Sequence, residues 1–458
     1  MASDNKIRVK RSSIPGKNPN ITDLDLGEIA INTHDGQMFI KKDQNGNESV
    51  VTVGEGSEST NRVYYVATTG NDSLNSGKSV GAAFATLSRA VSQIETDSND
   101  FFSENPNGVF RSTIYLKTGD YTVANPIRLP PRTTIIGDNL RSVSIFPQDT
   151  ISDILYVTNG NYIANVTFRS HGSPAAAVAF DPNPTTIPEV TASPYVQNCS
   201  CITGTGIGMK IDGSVVSGNK SMVADGFTQY NEGGIGVYLL NRGYAQLVSI
   251  FTIACDKGIY AESGGQCSLT NSNCSFGNYG LVSTGASEVI SSGTISGSYT
   301  EGDDQIDVTS SISPKYGEAI LISGYPNYYT VEDVEEIGTD QYRLKFLEGL
   351  FEPISDGSSV EFLRRSLIAA SSITFEYVGA GINLPDALPQ NGGIPIQENE
   401  VLQDDNDAGQ VYFTSTDQKG DFRIGGELSI NRNEGTITGL AFNRSLFNVL
   451  TPYILALE

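Results

Sequence analysis

Cations are scarce in this sequence: 29 lysines and arginines stand against 52 aspartates and glutamates, for a formal net charge of -23. That shortage argues against a surface that seeks nucleic-acid phosphates, because such binding rests on Lys and Arg displacing counterions. Histidine is nearly absent, and two isolated residues, His34 and His171, supply neither a catalytic triad nor a metal set. No eighteen apolar residues run uninterrupted, and the opening MASDNKIRVK has no apolar stretch. Neither membrane insertion nor a signal peptide is therefore expected, and the chain reads as made in a cytosol. The five cysteines, Cys199, Cys201, Cys255, Cys267 and Cys274, are odd in number and form no CxxC pair. They read as small apolar core residues and not as zinc ligands or disulfides.

What is abundant is glycine, 48 residues of 458, together with Ser, Thr and Asn, while only 18% of the chain is charged. This mixture favours strands and tight turns, so the expected class is all-β. The length exceeds what one compact core usually supports. Charge is also uneven: Lys6, Arg8, Lys10, Arg11 and Lys17 make the first twenty residues a basic segment on an acidic protein.

The stretch from Gly236 to Val282 repeats itself. Gly236-Val237-Tyr238, Gly258-Ile259-Tyr260 and Gly280-Leu281-Val282 start 22 residues apart, and Gly243, Gly264 and Gly285 fall 21 apart. Short strands, no helix of their own and Gly or Asn at corners fit coils of a parallel β-helix stacked about 4.8 Å apart. The reading assigns the glycines to corners with left-handed backbone angles. Continued from Val109 to about Ser296, the period implies about eight or nine coils. Ahead of them, Phe84, Leu87, Val91 and Ile94 recur at helical steps, an amphipathic helix placed to cap the open end.

The expected architecture is a right-handed parallel β-helix with a small N-terminal β-hairpin module, an inserted β domain and a C-terminal β unit. Residues 1–56 form the module, 57–62 a linker and 63–298 the capped β-helix. An acid- and Tyr-rich insertion covers 299–363, the end of the β-helix with an extended segment covers 364–408, and the last β unit covers 409–458. The module alternates Ile29, Ile31 and then Met38, Ile40 with polar residues, around turns at His34-Asp35-Gly36 and Asn45-Gly46. Some fifty residues bury little surface, so it needs a partner or self-association.

Three blocks carry a resemblance: IRVKRSSIPGKNPNITDLDLGEIAINTHDGQMFIKKD, GGIGVYLLNRGYAQLVSIFTIACDKGIYAESGGQCSLTNSNCSFGNYGL and GQVYFTSTDQKGDFRIGGELSINRNEGTITGLAF. Together they resemble tail-fibre and baseplate-associated virion proteins of contractile-tailed cyanobacterial phages. VYYVATTGND and the helix after it resemble the start of pectate-lyase-like β-helices. The resemblance implies a non-enzymatic, homotrimeric appendage, assembled in the host cytoplasm and located in the virion. Its module would be anchored through Ile7, Val9, Leu24, Leu26, Ile29 and Ile31 to other tail or baseplate proteins. Three chains about one axis would bury lateral faces that a single β-helix leaves open. A host surface glycan is a further candidate partner, with Tyr325, Tyr328 and Tyr329 as an aromatic contact cluster, unless they form the insertion's own core. Alternatives are a glycan-degrading tailspike depolymerase and a neck, collar or capsid fibre.

Glycoside hydrolysis needs two carboxylates about 5 to 9.5 Å apart, for which Asp256 with Glu262 and Asp225 with Glu232 are candidates. Lyase chemistry adds a basic or phenolic group, here Lys257, Tyr260 or Arg242; a solvated face is the plainer reading of all of them. Asp43 to Glu48 and Asp417 to Asp421 echo calcium loops but read better as hairpin turns, and Asp404-Asp405-Asn406-Asp407 as a solvated charge run. GGIG at 233 and GTGIG at 204 precede no helix and are not phosphate loops. No cofactor and no catalytic residue is expected.

Overall fold

The computed structural model describes residues 9–44, 46–53, 61–182, 189–346, 349–376, 380–383, 401–403, 409–415, 428–431 and 436–439. It divides into two compact units, Met1–Arg62 and Val63–Glu458. Ile7, the 404–407 run and the 417–421 loop lie outside the described residues.

The first unit is a four-stranded sheet of Lys10–Ser12, Ile29–Asn32, Gln37–Gln44 and Asn47–Thr52. Its first pair is parallel and not a hairpin, because the long loop between Ser12 and Ile29 crosses over. Asn32 pins that loop by donating its side-chain amide to the carbonyls of Ile14 (2.9 Å) and Lys17 (3.1 Å). The Asp43 to Glu48 segment is a hairpin turn, with Gln44 paired to Asn47 and Gly46 N–H donating to Asp43.

The second unit is a parallel β-helix. Its longer sheet stacks Arg111–Leu116, Thr133–Gly137, Tyr162–Ala164, Tyr195–Thr203, Ser221–Asn231, Tyr244–Ile253 and Gln266–Ser275, all parallel. The shorter sheet stacks Ile127–Arg128, Leu155–Val157, Ala176–Phe180, Ile207–Asp212, Ile235–Leu240, Lys257–Glu262 and Tyr279–Thr284. Seven coils lie between Val109 and Ser296, where eight or nine were expected, and Ser366–Glu376 with Ala380–Asn383 continue the stack beyond them. The first and the last are near 22 residues, Ile114 pairing with Ile135 and Ala245 with Cys267, while Ile135 pairs with Ile163 and Ile163 with Val196, so the coils between carry longer loops. One continuous apolar core runs through them, from Tyr64 to Ile373.

The corners are left-handed, and along the longer sheet Asn and Ser supply four of the five bends. Each long strand bends at a positive φ: Asn165 59°, Asn198 47°, Gly226 66°, Ser249 53° and Asn271 48°. Their side chains form rungs of a polar ladder, Asn198 donating to Asn165 (2.7 Å) and Asn271 to Ser249 (3.0 Å). The repeated glycines divide into two groups. Gly264 and Gly285 do take left-handed angles, while Asn241 and Arg242 take them where Gly243 was expected to. Gly236, Gly258 and Gly280 correct the corner reading: they lie inside strands, stacked with Gly208, and a Cβ on Gly258 would sit 2.6 Å from the Gly280 carbonyl oxygen. Glycine is needed there for close backbone approach.

The helix Leu87–Glu104 buries Leu87, Ala90, Val91 and Ile94 against the start of this core, with Phe84. Thr86 caps it by accepting from Arg89 N–H (3.1 Å), and the Asp72 carboxylate accepts from Ala85 and Thr86 N–H. At the other end, antiparallel strands close the ladders, Val401–Gln403 on Gly409–Ser415 and Thr436–Gly439 on Ala380–Asn383. Gly409–Ser415 itself lies parallel on Ser366–Glu376, so this strand extends the β-helix where a separate unit was expected to begin.

Between Tyr279–Thr284 and Ser366–Glu376 the chain leaves the coil to build a closed six-stranded barrel with its own core, and the bridge Ala286 to Arg365 joins its two ends. The barrel starts with Ser291–Ser296, earlier than the expected 299, because SSGTIS has the Ser, Gly and Thr texture of the coils. Pairing of Leu269 with Ala370 resumes the stack as if nothing intervened.

Candidate functional site

The N-terminal sheet has two unequal faces. Alternation sends Ala30 and Phe39 to one side, where with Leu24 they form the module's core, packed by Val50. Leu24 is 3% exposed, so it is a core residue and not an anchor. The register Ile29 to Ile40, Ile31 to Met38 and Ile40 to Val51 gathers those five side chains on the opposite face. All are half-buried except Met38, which is exposed. Leu26 is exposed on the preceding loop, and Val9 is half-buried ahead of the first strand.

A second candidate lies on the outer face of the shorter sheet. The 22-residue repeat sets Tyr238 directly against Tyr260, rings parallel with centroids 5.0 Å apart. Both hydroxyls donate to the Glu262 carboxylate, and the Lys257 ammonium lies 3.9 Å from the Tyr260 ring centre. Burial and the Glu262 hydrogen bond push the Tyr238 hydroxyl well above its ordinary pKa, so it stays protonated and donating. Further down the column Lys210 pairs with Asp153 (2.9 Å), and Arg128 pairs with Asp181 and covers Tyr156. Ala176, Ala179, Ile207 and Ile235 fill the space between. The result is a flat aromatic and aliphatic strip edged by charges that are already partnered. It is suited to stacking on a sugar face; a pair of free carboxylates is not among its parts.

The carboxylate pairs suggested by the sequence are not brought together. Asp256 and Glu262 flank opposite ends of the strand Lys257–Glu262, and Asp225 and Glu232 are separated by most of another, each pair roughly 20 Å apart along the chain. Asp256 instead accepts from the Asn278 amide (2.7 Å), and Arg242 pairs with Glu288 (2.8 Å). His34 contacts Asp35 on an exposed turn, while His171 is buried, its ring nitrogen 2.9 Å from the Ile207 carbonyl, and burial lowers its pKa. In the barrel, Tyr329 is 2% exposed and packs between Phe346 and Phe351, which makes it core. Tyr325 and Tyr328 remain half-buried at the surface, Tyr325 donating to the Pro353 carbonyl (2.9 Å). All five cysteines are buried and unpaired to one another. Among the described residues no cluster of three or more His, Cys, Asp or Glu is arranged to hold a metal, and no helix is long and apolar enough to cross a membrane.

No family model matches the chain, and no curated protein matches it. Solved structures similar to it include pectin methylesterase PemA from Erwinia chrysanthemi, at 9% identity over 82% of this chain and 93% of that one, with a TM-score of 0.30. A rhamnogalacturonan lyase is 14% identical over 48% of this chain and 72% of its own, TM-score 0.24. ORF18 of Geobacillus virus E2 is 10% identical over 92% of this chain and 96% of its own, TM-score 0.24. Likenesses of this size carry no argument about activity or place of work; the parallel β-helix rests on the strand pairing itself.

Proposed function

We propose that this chain is a structural component of a phage virion, a tail fibre or baseplate-attached appendage taking part in host attachment or tail assembly. The observation that carries the reading is the five-residue apolar face of the N-terminal sheet. A module whose own buried core is Leu24, Ala30 and Phe39 carries five more apolar side chains on its other face, and such a face calls for a partner surface. The sequence blocks described above support a tail or baseplate protein as that partner, and a stacked coil with a continuous core supports a spacer role. Replacing Ile31 and Ile40 by aspartate should leave thermal unfolding of the β-helix unchanged and abolish incorporation into particles. Particles that take up this variant at the normal level would rule out anchoring through this face.

The same proposal includes a homotrimer. Val248 and Phe251 are 36% and 45% exposed on the outer face of the longer sheet, an apolar contribution to lateral packing between copies. Light scattering on the full chain should give about three times 48.9 kDa. A monomeric mass at micromolar concentration contradicts this part.

A second reading, a glycan-degrading tailspike, is favoured by the stacked Tyr238 and Tyr260 beside Glu262. Because each charge on that strip is already partnered, the strip supports glycan contact better than glycan cleavage. Incubation with host-type polysaccharide should release no new reducing or unsaturated ends; their appearance would establish the enzyme.

A further inference from the structure

One corner of the β-helix, where the coil meets the barrel, concentrates positive charge on an otherwise acidic protein. Tyr244 N–H donates to the Lys220 carbonyl (3.0 Å), Gln266 N–H to Gly243 (2.9 Å) and Leu367 N–H to Gly265 (3.0 Å). Lys220, Gly243, Gly265 and Ser366 therefore occupy one position in four successive coils. Lys220 and Ser366 bound a span of three rungs, roughly 14 Å, and the two positions between them are glycines. Arg242 adjoins the first glycine and Arg364 lies two residues before the far end, so three long cationic side chains start from one corner, near enough that Arg242 acts on both Lys220 and Arg364 and Tyr244 on Arg364. Their only ion pair among the described residues is Arg242 with Glu288, whose side chain is 76% exposed; neither Lys220 nor Arg364 has a carboxylate in contact.

Cations outnumbered nearly two to one by carboxylates would ordinarily find partners. Here burial first, and the neighbouring Arg242 second, lower the pKa of both Lys220 and Arg364, while Glu288 and Asp212 pull Lys220 the other way without reversing the shift. The carboxylates nearby offset this only in part, and a bound anion would offset the rest.

We propose that the Lys220, Arg242 and Arg364 corner is a binding site for an oxyanion: a phosphate, sulfate or carboxylate group, with Tyr244 placed to pack on whatever carries it. Guanidinium forks match the oxygens of such groups, and a partly desolvated site strengthens each contact. The inference does not depend on where the protein works.

The test is calorimetric titration of the full-length chain with sodium sulfate, sodium phosphate and sodium glucuronate, each against sodium chloride at matched ionic strength. At least one should saturate. Lys220→Gln and Arg364→Gln should each weaken it about tenfold or more, whereas Lys78→Gln, a cation paired with Asp97 elsewhere, should leave it unchanged. Without oxyanion, the two corner variants should unfold at the same temperature as the parent or higher, since repulsion is relieved; a purely structural role would lower it. Saturation by glucuronate alone assigns a sugar carboxylate, and saturation by phosphate or sulfate alone assigns an inorganic ion or its ester. Heats indistinguishable from chloride for all three, or binding that survives both substitutions, overturn the proposal.

Discussion

Gly258→Val should prevent the β-helix from forming or destabilise it by about 3 kcal/mol or more, the upper end for forcing volume into a closed core. A Cβ at this position would stand 2.6 Å from the Gly280 carbonyl oxygen, 2.7 Å from Thr252 Oγ1 and 2.9 Å from Cys274 Sγ. The first of these is backbone of the next coil, fixed by its own ladder, so relief requires the coils to separate. Gly236 faces the same obstacle from Gly258 and Thr252, and Gly208 from the Gln229 amide. The column is therefore a seam in which the buried Gln229, Thr252 and Cys274 fill the room that glycine leaves. Gly233 is the control: its φ is 73° but nothing lies within 4 Å of an added Cβ, so Gly233→Ala should cost only about 1 kcal/mol of backbone strain. Urea unfolding of both variants measures the contrast. Equal, small losses would mean that the coils are not packed as described.

Stability should also collapse in alkali. Burial pushes the thiols of Cys199, Cys255 and Cys274 up to about 12 from an ordinary 9.0, and raises Cys201 and Cys267 as well. The folded state holds these protons while the unfolded chain releases them. Their contribution is complete below pH 9 and is lost as pH rises from there towards 12. Each thiol removes about 1.4 kcal/mol per pH unit in that window, so the three together remove about 4 kcal/mol per unit. Tyr121, raised to about 12 by burial, adds to the loss above pH 10. Unfolding midpoints should be level up to about pH 8.5 and fall steeply beyond it, with thiols titrating only as the protein opens. A level profile to pH 10.5, or rapid alkylation of the native protein, would contradict the burial of these groups.

The β-helix was legible because Val237, Ile259 and Leu281 point inward and Tyr238 and Tyr260 outward at one fixed spacing, which a stacked coil alone accommodates. The number of coils was not, since coils with long loops keep inward positions without keeping the period. The role of the repeated glycines was misjudged for a physical reason: a glycine needed for its backbone angle and one needed for close approach look alike in sequence, and only the register separates Gly264 from Gly258. The barrel's entrance was hidden by composition, as was the continuation of the coil into Gly409–Ser415. Ile29 and Ile31 were found by alternation, but Leu24 was placed with them because a loop residue folding back under a sheet has no period to betray it. The Tyr238, Tyr260 and Glu262 cluster could have been found by overlaying residues 22 apart. The Lys220, Arg242 and Arg364 corner could not be completed that way, because the excursion through the barrel separates Arg364 from the other two.

Electron cryomicroscopy of the intact phage particle tests the central claim most directly. The account predicts a stacked-coil rod joined to the tail or baseplate, with Ile29, Ile31, Met38, Ile40 and Val51 covered by another virion protein. A particle in which that face lies bare in solvent, or one that lacks the chain altogether, would contradict it.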